Sequence, residues 1–362
     1  MFRKIVKNKR YRLFLLAFLA ILTYNLLIVA LVESEKLSRQ SALTTYENAY
    51  WYSIVTLTTV GYGDLFPATT YGRIIGGSMV LLSMVFYAII IGGMSTIITN
   101  LKESRKLGYN GTNYKNHAVI IGWNDFGSMV TDQLLGVNKD VAIVTSNKDD
   151  IDSIKDKFPS KKIFTLFSDF KSYEILQKAN IESSSIVFVN LPDDTEKLVY
   201  ILNLRKIYPD LEFVVTLENI DLKNTFISAG VTNCISIHEI SSKLLASYLF
   251  EPDVAEYSES IMSFAKADSD YDIKQFLVTQ SNPYIGKLYQ DAFFDLKTKY
   301  NSVLIGITKR DKYGNRKMIK NPLGDLKITA GDYLIVILNG KAFKLLKKRF
   351  NVDEGYISNR IT

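Results

Sequence analysis

Apolar residues are spread unevenly along this chain. Residues 13–32 form an uncharged run whose main polar interruptions are Thr23, Tyr24 and Asn25. A helix of that length spans about 30 Å, the thickness of a bilayer's hydrocarbon core. Residues 74–101 form a second uncharged run, rich in Ile, Met, Gly and Ser. A soluble core helix that long would be unusual, so both runs are expected to cross a membrane. For the first run the alternative is a cleaved signal peptide, whose apolar core would be shorter and end in small residues. Between the runs, residues 45–57 are apolar and aromatic but too short to cross. They are expected to re-enter the membrane as a short helix.

The pattern changes from His117 onward. Short apolar runs at 118–122, 141–145, 162–167, 185–190, 213–217 and 233–237 read as strands. Helix-like stretches lie between them, near 127–135, 150–158, 172–180, 195–206 and 222–229. That alternation predicts a parallel doubly wound sheet with right-handed crossovers, a Rossmann-like lobe. Residues 102–116 are polar, contain Gly108 and Gly111, and read as a linker.

Charge sets the orientation. Arg3, Lys4, Lys7, Lys9, Arg10 and Arg12 precede the first run with no acidic residue among them. Lys102, Arg105 and Lys106 follow the second, against one Glu103, while the intervening loop mixes both signs. The positive-inside rule places both termini in the cytoplasm, in a multi-pass protein of the plasma membrane. Anionic lipid headgroups account for the basic N-terminus, and for the net charge of +7, without a nucleic-acid partner. The 47% hydrophobic and 22% charged content excludes a disordered or collagen-like chain. A single cysteine, Cys234, excludes a disulfide framework and a multi-cysteine zinc site; it reads as a buried thiol. His117 and His238 sit at strand ends and read as structural. A membrane-anchored nicotinamide-dependent oxidoreductase is the competing class, but no His/Asp or Lys/Tyr catalytic set is visible, so no enzyme activity is expected.

The loop after the re-entrant segment carries Thr59, Val60, Gly61, Tyr62, Gly63 and Asp64. This run resembles the selectivity filter of potassium channels, and the match extends through Leu65 to Arg73. A dehydrating K⁺ ion needs oxygens in place of its water shell. Backbone carbonyls supply them if the chain is extended and successive carbonyls face one axis. Gly61 and Gly63 can adopt the φ/ψ values this requires, and Thr59 can add its hydroxyl. Non-helical backbone at that depth must be buried in protein or line water. The resemblance implies four chains around one pore. Trp51, Tyr52 and Tyr62 are expected to pack behind the filter and hold its diameter. Val55 stands where some relatives carry a glutamate that pairs with the aspartate after the filter, so Asp64 is expected to lack that partner. In the second span Ser83 stands near the hinge glycine of many relatives. Gly92 and Gly93, nearer the cytoplasmic end, are the better gate candidates, with small-residue packing between helices as the alternative.

The Rossmann-like part resembles the RCK domain, the regulator of potassium conductance. The matching residues include Ile120 to Trp123, Asp169, Lys178 to Ile181 and Ala229-Gly230, then Asn321-Pro322 and Gly331 to Val336. Segments 282–288 and 303–307 look like the first strands of its C-terminal lobe. The expected fold class is therefore a membrane α-helical pore, with two transmembrane helices and a re-entrant pore helix, followed by an α/β Rossmann-like RCK domain with a small α+β C-terminal lobe. The expected boundaries are 1–101 for the pore and 102–116 for the linker. They are 117–238 for the Rossmann-like lobe, 239–263 for the crossover through which RCK domains dimerise, and 264–350 for the C-terminal lobe. The resemblance implies a ligand-gated, K⁺-selective homotetramer whose RCK dimers form a cytoplasmic gating ring. An RCK-type regulatory subunit of a potassium transport system is the alternative.

Two ligand sites are candidates. Gly122, Asn124 and Gly127 form a strand-to-helix turn of the phosphate-cradling kind, but Asn124 replaces the middle glycine, and Thr145 to Asn147 replace the expected acidic residue. For Ca²⁺ or another divalent cation the candidates are Asn190, Asp193, Asp194 and Glu218. The resemblance to calcium-gated relatives implies an aspartate closing the fourth strand, where Asn190 stands, and a glutamate pair after the fifth, where only Glu218 is nearby, so this set is depleted. Asp268, Asp270 and Asp272 would share one face of an extended strand and are a weaker candidate.

Overall fold

The uncharged runs fold as helices because nothing in them breaks a helix and their backbones bond internally. The computed structural model describes residues 9–159, 162–310 and 316–355, with side chains from residue 18 onward. Arg3, Lys4 and Lys7 lie outside the described residues. Helix α1 spans Lys9–Glu35, α2 Tyr46–Leu57 and α3 Thr70–Lys106. Stretches Phe18–Glu35 and Thr70–Lys106 are long and apolar enough to cross a membrane. The polar interruptions of α1 have partners. Tyr24 shares a hydrogen bond with Ser53, and Tyr50 Oη donates to Asn25 Oδ1 at 2.5 Å, so the outer helix holds α2 through polar bonds. Ile28, Leu31, Val32, Ala49 and Met79 form the apolar core of this part.

The chain divides into two units, Met1–Lys102 and Glu103–Thr362. In the second unit the strands are β1 (Ala118–Ile121), β2 (Val141–Thr145), β3 (Ile163–Phe167), β4 (Ile186–Val189), β5 (Phe213–Leu217) and β6 (Asn233–Ser236). They form one sheet of order β3-β2-β1-β4-β5-β6, with parallel pairing throughout. Helices α4 (Asp125–Gly136), α5 (Lys148–Lys157), α6 (Asp194–Ile207) and α7 (Lys223–Ser228) connect them. Val119, Ile121, Val144 and Val189 pack with Tyr200 and Leu204, whereas Ile120, Ile143 and Phe188 pack with Leu135 and Ile154. Both faces are covered, which is why these strands read as continuous apolar runs. The stretch 172–180 is helical but tighter than expected, a 3-10 turn over Tyr173–Ala179.

The segment expected as a linker is bonded to this lobe along its length. Phe167 N donates to Leu107 O at 3.0 Å, Thr112 N to Lys178 O at 2.8 Å and Asn116 N to Ser183 O at 2.8 Å. The last turn of α3 joins in, with Lys148 on Glu103 at 2.9 Å and Lys106 on Asp152 at 2.5 Å. These ion pairs are exposed and screened by solvent, so they add little. Buried Leu107 and the backbone bonds carry most of the attachment.

Helices α8 (Ile237–Phe250) and α9 (Pro252–Met262) occupy the expected crossover. Helix α8 buries none of its residues, and Leu245, Leu249, Phe250, Val254, Tyr257 and Met262 are exposed across the pair. The C-terminal lobe is an antiparallel sheet of order β7-β10-β8-β9, built from β7 (Tyr271–Leu277), β8 (Val303–Arg310), β9 (Arg316–Lys320) and β10 (Tyr333–Asn339). Helices α10 (Tyr289–Tyr300) and α11 (Gly340–Phe350) pack on it, around Phe276, Leu296, Leu334 and Phe350. Segment 282–288 is not a strand. It is a run of turns with one isolated bridge, because Pro283 has no N–H to give a ladder and Ile285 N and Lys287 N bond locally to Asn282 and Tyr284. The first strand is instead β7. Its buried face carries Asp272 and Lys274, paired at 3.0 Å, beside Phe276.

Candidate functional site

Function was expected at the loop and inner helix of the first unit and at the glycine turn and acidic sets of the second, and the two units are built in opposite ways. In the first unit α2 aims its carboxyl end at the loop. Thr45 caps its start, accepting from Asn48 N at 3.3 Å, and Thr58 closes its end, donating to Ile54 O at 2.8 Å. The chain then alternates in handedness. Thr59 (φ 59°), Gly61 (φ 59°) and Gly63 (φ 74°) are left-handed, while Val60 and Tyr62 are not. Alternate handedness turns successive peptide planes to the same side, so their carbonyls can share one axis. For Thr59 the left-handed conformation is strained; for the glycines it costs little. No atom lies within 4 Å of where a Cβ would sit on Gly61 or Gly63, so neighbouring side chains leave this backbone open.

The loop is held from outside. Trp51 stacks on Tyr62 with centroids 6.2 Å apart and rings 4° from parallel. Its indole N–H donates to Asp64 Oδ2 at 2.9 Å. Asp64 thus has a partner, an indole in place of a carboxyl, while Val55 is buried nearby in the fold of α2. Tyr52 does not join this cuff. Its hydroxyl lies 2.8 Å from the Cβ position of Gly76, so it backs onto α3. Sequence reasoning missed Glu35. Fully buried at the end of α1, it accepts from Ala68 N (2.9 Å), Thr69 N (3.0 Å) and Thr69 Oγ1 (2.7 Å). It therefore caps the start of α3 from another helix. Gly72 leaves room for it, since a Cβ there would meet Glu35 Oε1 at 1.8 Å. An acidic residue closing an apolar run was the available signal.

Ser83 is buried and its hydroxyl donates to Val80 O at 2.6 Å inside α3. Gly92 and Gly93 lie in unbroken helix with no atom near their Cβ positions, so within the described residues no packing accounts for them.

In the second unit the phosphate-type turn is filled by the chain itself. Asn124 Oδ1 accepts from Gly127 N at 2.8 Å, capping α4. Asn190 Nδ2 donates to the same Oδ1 at 2.8 Å and reaches Gly122 O at 3.5 Å. A Cβ on Gly122 (φ 96°) would meet Asn190 O at 2.4 Å, and one on Gly127 would meet Asn190 Nδ2 at 2.9 Å. These glycines make room for a protein amide, where a pyrophosphate would need the same space.

The divalent-cation candidates are not brought together. Asn190 is committed to the turn, Asp193 caps α6 by accepting from Glu196 N at 2.9 Å, and the Glu218 side chain is exposed. Asp194 is buried and fully used. It pairs with Lys197 at 2.8 Å and accepts from Glu218 N and Asn219 N, both at 3.0 Å. Burial raises its pKa, but the Lys197 ammonium and the two backbone N–H groups outweigh that and hold the carboxyl below its ordinary value. Lys197 also donates to Thr216 O at 2.8 Å, so a lysine supplies the cation this carboxylate needs. The aspartate trio also separates. Asp268 pairs with Lys344, Asp270 accepts from Ala267 N and Lys266 N, and Asp272 pairs with Lys274. Among the described residues no group of three or more His, Cys, Asp or Glu side chains could hold a metal ion.

The comparisons with known proteins divide the chain at the same place. An ion-channel family model matches residues 13–100, and a TrkA-N domain model matches residues 118–237. The probable potassium channel protein 2 of Methanocaldococcus jannaschii is 22% identical over 313 residues, which cover 83% of this chain and 88% of that protein. The calcium-gated potassium channel TvoK of Thermoplasma volcanium is 24% identical over 312 residues, 84% of this chain and 85% of TvoK. Among solved structures, the GsuK channel bound to NAD resembles it over 96% of this chain and 60% of that chain, at 15% identity and a TM-score of 0.38.

Proposed function

This chain is a homologue of archaeal potassium channels with RCK domains, and we propose that four copies of it form a K⁺-selective pore opened by a ring of their cytoplasmic lobes. The observation that carries this reading is the alternating left-handed backbone at Thr59, Gly61 and Gly63, with nothing packed over the glycines. A regulatory subunit would have no use for it. Carbonyls of residues 59 to 63 replace the hydration shell of K⁺, and the Thr59 hydroxyl extends the column. Trp51 sets the width by holding Tyr62 and Asp64. The membrane orientation follows the flanking charge, with both termini and the RCK lobe in the cytoplasm.

Gating follows from the attachment of α3. Its last turn and Leu107 are bonded to the Rossmann-like lobe, so a shift of that lobe pulls on the inner helix, which bends at Gly92-Gly93. The exposed apolar residues of α8 and α9 are the surface through which lobes pair in the ring. The regulatory ligand is of calcium or nucleotide type. Asn190 or Lys197 must move aside to admit it at either expected position, and that displacement is itself a switch. No turnover of a nicotinamide cofactor accompanies conduction.

The test is K⁺ flux into liposomes containing the purified chain. K⁺ flux well above Na⁺ flux in wild-type vesicles, with that preference lost in Gly63→Ala, supports the reading. Equal K⁺ and Na⁺ flux through the wild type, or no flux from it under any ligand, contradicts it.

A further inference from the structure

Outer helix α1 and inner helix α3 do not close on each other along their whole length. A crevice of about 540 Å³ lies between them, lined by α1 over positions 20–27, by α3 over 79–89 and by Ser53, Thr56 and Leu57 near the end of α2. That volume falls in the range of small-molecule sites, about 300–1,000 Å³. Ala20 and Leu27 lie about 10 Å apart along α1, which leaves a mean cross-section of about 50 Å². A helix with its side chains is about 10–12 Å across and needs about 80 Å² or more, so a neighbouring copy's helix does not fit. A single hydrocarbon chain does.

The walls set the chemistry of the occupant. Thr23 Oγ1 donates to Leu19 O at 2.8 Å, Ser53 Oγ to Tyr50 O at 2.8 Å and Ser83 Oγ to Val80 O at 2.6 Å. Tyr24 bonds to Ser53. These hydroxyls are spent inside the protein, and Thr56 carries the one other hydroxyl among the described lining residues. The remaining wall is hydrocarbon, and cavities so lined stay dry and take apolar guests. Ile21, Val85 and Ile89 line it and are exposed, so the crevice is open at the side rather than sealed. Its long walls belong to the stretches apolar enough to cross a membrane, and at that depth the medium outside is lipid hydrocarbon.

Charge identifies the leaflet and the headgroup. Lys9, Arg10 and Arg12 stand at the start of α1, with Arg12 about 12 Å along the helix from Ala20, and no acidic residue precedes Glu33. That end is cytoplasmic by the flanking charge. The acyl layer of one leaflet is about 15 Å deep, so a phospholipid with its phosphate level with these cations lays its chain beside residue 20 and beyond. Cations at that level favour an anionic headgroup.

We propose that this crevice holds one acyl chain of an anionic phospholipid from the cytoplasmic leaflet, with the headgroup level with Lys9, Arg10 and Arg12. The site rests on the reading that α1 and α3 cross a bilayer. It uses neither the pore loop nor the expected ligand positions of the lobe.

Native mass spectrometry tests it. The purified full-length protein is reconstituted into vesicles of equal phosphatidylglycerol and phosphatidylcholine, extracted in mild detergent, and its retained phospholipid counted per chain. Phosphatidylglycerol should be retained over phosphatidylcholine by about threefold or more. Ala20→Phe fills the crevice from α1 and should lower retention by about tenfold. If Ala20→Phe does not fold, Val85→Phe fills it from α3 and should do the same. Val29→Phe, exposed on α1 outside the crevice, should leave retention unchanged. An intact assembly with no retained phospholipid overturns the proposal, since protein then closes the crevice. So does equal retention of the two lipids, or retention that the filling variants leave unchanged. K⁺ flux is measured in the same vesicles, so flux without retained lipid overturns this site and leaves the pore reading standing.

Discussion

Glycines mark both the pore loop and the first turn of the Rossmann-like sheet, and the two places use them oppositely. No atom lies within 4 Å of the Cβ positions of Gly61 and Gly63, so that side of the backbone is open. At Gly122 and Gly127 the missing side chains are replaced by Asn190, which bonds the turn shut. The same contrast holds for charge. The pore-loop carboxylate Asp64 is exposed and bonded to one indole, while Asp194 is buried with its own lysine. A glycine-rich turn or an acidic cluster is thus a site only where the fold leaves it unfilled. The pore loop meets that condition as it stands, and the expected ligand positions of the lobe meet it only once Asn190 or Lys197 moves aside.

Five substitutions or conditions break or sharpen this contrast. The largest effect is expected from Gly63→Ala. The left-handed backbone becomes strained by about 1–2 kcal/mol and the carbonyl column distorts, so K⁺ selectivity should be abolished while the protein still folds. Ion flux together with gel filtration checks both halves. Next is Lys197→Met, which leaves Asp194 buried and unpaired; it should destabilise the lobe by about 3–5 kcal/mol, read from denaturant unfolding. Glu35→Ala removes the cap of α3 and should cost about 2 kcal/mol, seen as a lower temperature of thermal unfolding. Gly122→Ala meets a backbone oxygen at 2.4 Å and should destabilise by more than about 1 kcal/mol with or without ligand, in contrast to the functional loss at Gly63.

The smallest effect concerns pH. His117 is buried with Nε2 on Ala179 O at 2.9 Å, and burial holds its pKa below 6.5 despite that carbonyl. Its folded value is lowered, so the neutral ring's contribution is present above about pH 6.5 and is lost as pH falls below it. Thermal melts of wild type and His117→Phe should diverge as pH is lowered from 7 to 5, on the order of the single-group effect.

Most of this fold is legible in the sequence where burial and polarity agree. Strands β1, β2, β4 and β5 are apolar on both faces, and residues 13–32 and 74–101 are uncharged throughout, so their periods are unambiguous. Strand β7 was hidden because Asp272 and Lys274 lie on its buried face and neutralise each other. Segment 282–288 looked like a strand because Tyr284 and Leu288 are apolar, yet Pro283 and local turn bonds forbid a ladder. At the candidate sites, the filter run was legible because its backbone conformation demands particular residues. The roles of Glu35 and Asn190 were not, since each acts on a segment at least 33 residues away. Lys197 lies only three residues from Asp194, but the fold that buries the pair comes from β5, where Lys197 donates to Thr216 O, 19 residues on.

The most direct test of the central claim is the reversal potential of single channels in a planar bilayer, with K⁺ on one side of the purified protein and Na⁺ on the other. The account predicts a reversal potential set by K⁺, lost in Gly63→Ala. A reversal potential near zero, with Na⁺ carried as readily as K⁺, would contradict it.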